Sequence, residues 1–166
     1  MKPANPVRKN SQKVLLFTDA SVSPQTGVGC GAFVAVDKIE ESLEDTADSI
    51  RVKRFSSTSS ARLEIETLLW ALSEIRALKV DAYTDSQNIL SLPKRRAVLE
   101  QNSYCTKSGK PHGLAGLYKD FFAWTDSISL RIIKVSGHRP ANMRNKTDRI
   151  FSLVDKASRA ALRDGL

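Results

Sequence analysis

A chain of 166 residues, 41% of them hydrophobic, has the length for one domain with a sizeable core. No apolar stretch approaches a membrane span, and Cys30 and Cys105, placed far apart with His112 and His138, cannot build a disulfide framework or a zinc site. Lys and Arg total 26 against 18 acids, a net charge of +8 that points to a polyanionic partner, nucleic acid before membrane surface.

Residues 1–12 are polar and Pro-containing, with no apolar signal core and no cleavage site. They are expected to be a flexible N-terminal tail ahead of a single domain over 13–166. A strand spans about 13–19 and stops on Asp19 in "FTDAS". The turn "SVSPQTGVGCG" leads to a second strand in "AFVAV". Residues 37–48 then hold six acids and one lysine, so this loop carries −5 and the remainder +13. Charge segregated in this way reads as a directed basic surface. A third strand lies near "IRVKRFSS", and "SSARLEIETLLWALSEIRAL" is a helix whose leading serines can cap it. "KVDAYTD" is a strand, "SQNILSL" a short helix that Pro93 interrupts, and a basic, loop-rich region runs to about 113. "LAGLYKDFFAWTDS" is helical, "LRIIKV" a strand and "TDRIFSLVDKASRAALRDG" the closing helix. Three strands followed by alternating helix and strand predict an α/β fold with a mixed sheet, parallel within the β–α–β passage.

Helix geometry separates two neighbouring acids. At about 100° per residue, Glu64 falls about 40° from Leu68, inside the stripe of Ile65, Leu68, Leu72 and Ile75. Glu66 falls about 160° away, where it can pair with Arg62 in water. An acid at a buried helix edge is costly unless it is paired, bound to a metal or able to reach water. Asp19 and Asp85 sit alike, each behind a strand and a threonine, in "FTDAS" and "YTDSQ". Either could cap a turn or a helix. If their strands are parallel neighbours, both converge at the sheet edge where α/β proteins bind ligands. With Glu64 they make three oxygen donors suited to a hard divalent cation. His138 follows the strand in "KVSGHRPANMRNKTD", and Asp148 opens the last helix on the same side as Asp155. Periodicity does not choose between these two aspartates, and a charge favoured by the helix N-terminus accounts for Asp148 equally well.

In this order, "FTDAS", "ARLEIETLLWAL", "YTDSQ" and "VSGH" with an aspartate ten residues on resemble the type 1 ribonuclease H family, from Val14 to Leu162. The resemblance implies an RNase H-like fold, a five-stranded mixed sheet flanked by helices, with 13–166 as the catalytic domain. It implies a metal-dependent endoribonuclease that cleaves the RNA strand of RNA–DNA hybrids, leaving 3′-hydroxyl and 5′-phosphate ends. Asp19, Glu64, Asp85 and Asp148 would be the catalytic and metal-binding acids, with Asp148 selected over Asp155. Two Mg²⁺ ions, or Mn²⁺ in their place, would straddle the scissile phosphate with Asp19 as the bridging ligand. His138 would act late, moving a proton or helping product leave. The expected nucleic-acid contacts are Gln87, reaching into the minor groove, and Ser21, Ser60 and Arg62, with Lys94, Arg95, Arg96, Lys107 and Lys110 as a basic handle on phosphates.

The chain departs from the family pattern at several points. Ala20 and "SVSPQTGVGCG" replace a glycine and a Gly/Pro-rich turn, Ser60–Ala61 replace an asparagine pair, and the handle offers Tyr104 in place of tryptophan. A junction resolvase or transposase-like nuclease would share acids at strand ends but not usually the "GH" loop. A binding module that kept the fold would have no use for four carboxylates that repel phosphate. A cytoplasmic monomer, with no membrane and no obligatory protein partner, completes the expectation.

Overall fold

The computed structural model describes residues 13–56, 58–136 and 139–165. The expected tail over 1–12 and His138 lie outside them. Strands β1 (Lys13–Val22), β2 (Gly29–Val36) and β3 (Arg51–Phe55) form an antiparallel meander. Strands β4 (Lys79–Thr84) and β5 (Ser129–Lys134) add in parallel beside β1, giving the order β3-β2-β1-β4-β5. Among the described residues the α-helices are α1 (Leu43–Asp48), α2 (Ser60–Glu74), α3 (Gln87–Gln101), α4 (Ala115–Ser127) and α5 (Lys146–Asp164). This is the five-stranded mixed sheet flanked by helices that the family resemblance implies.

Alternation along β1 divides the core. Leu16 packs with Phe33, Ile65, Leu68, Leu72 and Phe121 on the face covered by α2 and α4. Phe17 points the other way, among Val34, Ile150, Phe151 and Val154 beneath α5. By the same two-residue period Asp19 and Ser21 share the α5 face with Phe17. The glycines of "GCG" have a packing reason: a methyl group at Gly31 would collide with the Thr67 side chain, and one at Gly29 with Leu63. α2 therefore lies close against β2 because no Cβ stands between them. Asp81, buried in β4, is pinned by Arg131 of β5, at 2.7 and 3.0 Å, and by Lys13 of β1, at 2.8 Å. Burial alone would raise its carboxyl, but those two cations outweigh the burial and hold it below the ordinary aspartate range.

Three local expectations need correction. β1 does not stop on Asp19; it runs on to Val22 because β2 supplies partners through Val22↔Gly29. Pro93 does not interrupt its helix, which runs fifteen residues through it. The proline removes one donor to the Ile89 carbonyl, but Ile89, Leu92 and Leu99 are buried on either side of it and hold the helix in place. The acidic loop contains the short helix α1, capped by Ser42, whose hydroxyl accepts from Glu44 and Asp45.

Candidate active site

Asp19 occupies a gap that the sheet topology creates. On one side β1 stays paired with β2 past it, through Asp19↔Ala32; on the other, pairing with β4 ends at Phe17↔Tyr83. β4 finishes at Thr84, and the chain turns through Asp85 and Ser86 into α3. Asp85 therefore arrives at the same sheet edge as Asp19, and its negative charge bears on the Asp19 carboxyl.

The helix cap over this turn is Ser86, not Asp85. Its hydroxyl accepts from the Ile89 N–H at 3.3 Å and donates to Oε2 of Glu64 on α2. Glu64 also accepts from the Ser60 hydroxyl at 3.3 Å. One buried serine thus starts α3, orients Glu64 and leaves the Asp85 carboxyl out of the cap. Glu66, one face round, pairs with Arg62 at 3.4 Å and accepts from Thr58 at 3.3 Å, as an ordinary surface acid does.

Asp19 is the electrostatic anomaly. Burial is the largest influence on its carboxyl and raises it. The Ser158 hydrogen bond opposes that, while the charges of Asp155 and Asp85 add to it; the result is a pKa of about 7. Among the described residues no lysine or arginine pairs with Asp19, in contrast to Asp81. Its Oδ2 instead accepts from the hydroxyl of Ser158 on α5, at 2.9 Å.

Asp148 is buried at the third position of α5, in a capping box with Asn145: its N–H donates to the Asn145 side chain at 2.9 Å, and its Oδ2 accepts the Asn145 N–H at 3.2 Å. Arg139 approaches the same oxygen at 3.7 Å. The α5 acid whose charge reaches Asp19 is Asp155, two turns further on and itself paired with Arg159 at 2.8 Å. Among the described residues, no three His, Cys, Asp or Glu side chains are gathered closely enough to hold a metal ion as they stand.

The expected nucleic-acid contacts divide by what already holds them. Gln87, Lys94, Lys107 and Lys110 are exposed. Arg95 bonds Asn88 at 3.3 Å and lies over the Tyr118 ring, and Arg96 makes a two-pronged pair with Asp126, at 2.6 and 2.8 Å, plus a bond to Glu100. Ser60 and Arg62 serve Glu64 and Glu66, and Ser21 bonds Ser158 at 3.0 Å. Sequence reasoning did not find Ser86 or Ser158 as partners of the acids. A serine within the stripe Phe151, Val154, Ala161 was the one signal pointing to Ser158.

No helix among the described residues is long and apolar enough to cross a membrane. No curated protein matches the chain. A family model described as RNase H matches residues 11–158, which include every acid and serine of the site. The chain belongs to the RNase H family, hydrolases that act on the RNA of RNA–DNA hybrids and generally use divalent metal ions.

Proposed function

We propose that Asp19, Glu64, Asp85 and Asp148 hold two divalent cations, Mg²⁺ under cellular conditions. With them, the protein hydrolyses the RNA strand of a hybrid internally, leaving 3′-hydroxyl and 5′-phosphate ends. The observation that carries this reading is the Asp19 carboxyl. Burial and the charges of Asp155 and Asp85 push it up to about 7, a costly arrangement that a structural aspartate such as Asp81 avoids by pairing. A bound cation relieves the repulsion between Asp19 and Asp85 and favours the ionised form of Asp19. The donors are all carboxylate oxygens, the chemistry that hard divalent ions take.

When bound, such ions supply charge neutralisation at the scissile phosphate and acidify water for attack. The chain's own residues do the rest. Asp19, held against β2 on one side and facing the gap beyond the end of β4 on the other, sets the centre of the site. Ser86 fixes Glu64 at the end of β4, and Asp85 enters from the same turn. In this reading the carboxyl groups gather by side-chain rotation, with Asp148 leaving its cap bond to Asn145. His138 carries a proton at the end of the reaction.

Hybrid selection, in the same reading, comes from groups that meet 2′-hydroxyls and phosphates without reading bases. Gln87 and Ser60 flank the acids, while exposed Lys94, Lys107 and Lys110 grip the backbone. Arg96, tied to Asp126 and Glu100, orders α3 against α4. Two cysteines, too few and too far apart in the chain for a disulfide framework, suit a reducing cytoplasm, and a monomer suffices for the site. The test compares RNA–DNA hybrid, RNA duplex, DNA duplex and single strands, with Mg²⁺ and with EDTA. Mg²⁺-dependent cleavage confined to the RNA of the hybrid is expected; equal cutting of RNA duplex, or cutting in EDTA, would refute the reading.

A further inference from the structure

Ser158 is fully buried within the stripe of α5 that otherwise carries Phe151, Val154 and Ala161. An alanine would fill that position and favour the helix. A buried hydroxyl is a cost there unless it is hydrogen-bonded. Its oxygen lies 2.9 Å from Asp19 Oδ2, 3.0 Å from the Ser21 hydroxyl and 3.0 Å from the Asp155 carbonyl.

A serine hydroxyl has one proton to give. The Asp19 carboxylate is the strongest of the three acceptors, since a charged partner roughly doubles a hydrogen bond. Ser158 therefore donates to Asp19, and Ser21 donates to Ser158. The order is Ser21 to Ser158 to Asp19, and it ties α5 to β1 at the level of the carboxylate. A carboxylate offers about four lone-pair sites on two oxygens, so the bond to Oδ2 fixes the rotation of the group and leaves capacity on both oxygens for a cation.

We propose that Ser158 is a positioning residue for cation binding: by holding Asp19 Oδ2 it presets the carboxylate that receives the ions. This rests on the reading of Asp19 as a metal ligand. Groups that orient a ligand in this way typically alter metal affinity by about 10- to 100-fold.

The test is calorimetric titration of Mn²⁺ into the purified full chain without nucleic acid, for the parent, Ser158→Ala, Ser158→Thr and Asp19→Asn, with melting curves to verify folding. Ser158→Ala is expected to bind at least about tenfold more weakly, and Ser158→Thr, which keeps the hydroxyl, to restore most of the affinity. If the alanine chain does not fold, Ser158→Cys keeps a side chain of the same shape, slightly larger, with only a weak donor, and is expected to show the same loss. Parent-like binding by Ser158→Ala alongside weakened Asp19→Asn overturns the role of Ser158 and leaves the site standing. Equal loss in the alanine and threonine variants also overturns it, since packing and not the hydroxyl would then be the cause. Parent-like binding by Asp19→Asn overturns the metal site itself, and the role of Ser158 with it.

Discussion

Replacing Asp19 by asparagine should stabilise the protein near neutral pH while removing its activity. The Asp19 carboxyl has a pKa of about 7 in the fold against an ordinary value of 3.8. A raised acid is protonated in the folded state over a range where the unfolded chain is already ionised. Its contribution to stability is therefore favourable at low pH and is lost as pH rises from about 4 through about 7. At about 1.4 kcal/mol per pKa unit, the full difference is about 4.5 kcal/mol well above pH 7, and relaxation of a partly exposed site reduces it to about 2–4 kcal/mol. Asparagine keeps the shape and can still accept from Ser158, but it carries no charge to bury. Urea unfolding in EDTA at about pH 5 and about pH 8 measures the effect. The advantage of Asp19→Asn is expected to grow by about 2 kcal/mol across that interval and to shrink when Mg²⁺ is added, because only the parent gains binding energy. An advantage independent of pH, or a less stable variant at the higher pH, would refute this account of the carboxyl.

Glu64→Gln should abolish Mg²⁺-dependent cleavage while Glu66→Gln keeps the parent rate, because Glu64 is bonded to Ser86 beside Asp85 whereas Glu66 pairs with Arg62; steady-state assays decide it. Gly31→Ala should destabilise by about 1–3 kcal/mol in denaturant titration, the usual cost of overpacking, because its methyl meets Thr67. Adding Thr67→Ala should recover part of that loss. Reversing Lys107 and Lys110 to glutamate should weaken hybrid binding and lower the logarithmic salt slope by about 2, as loss of two phosphate contacts requires; an unchanged slope would remove these lysines from the interface.

Much of the fold was legible because its signals are local. The choice of Glu64 over Glu66 followed from helix rotation alone, and Glu66 does pair with Arg62. β1 and β2 announced themselves as apolar runs beside turns. What the sequence hid depends on partners distant in the chain. Nothing in "ASV" shows that β1 continues past Asp19; that requires β2 beside it, whose Gly31 and Cys30 are the partners of Ala20 and Ser21. Pro93 reads as a breaker until Ile89, Leu92 and Leu99 are seen buried around it. Asp85 reads as a helix cap until Ser86 is found doing that work. Ser158 lies 139 residues from Asp19, so no spacing rule could join them. The choice between Asp148 and Asp155 came from the family resemblance and not from periodicity, and both now have local partners of their own.

That choice offers the most direct test of the central claim. Cleavage of an RNA–DNA hybrid in saturating Mg²⁺ should be measured for Asp19→Asn, Glu64→Gln, Asp85→Asn, Asp148→Asn and Asp155→Asn. The first four are each expected to fall by about a thousandfold or more, the several kcal/mol that metal-assisted hydrolysis supplies. Asp155→Asn should stay within a few fold of the parent. Parent-like cleavage by Asp148→Asn, with the loss appearing in Asp155→Asn instead, would contradict the proposed set of four acids.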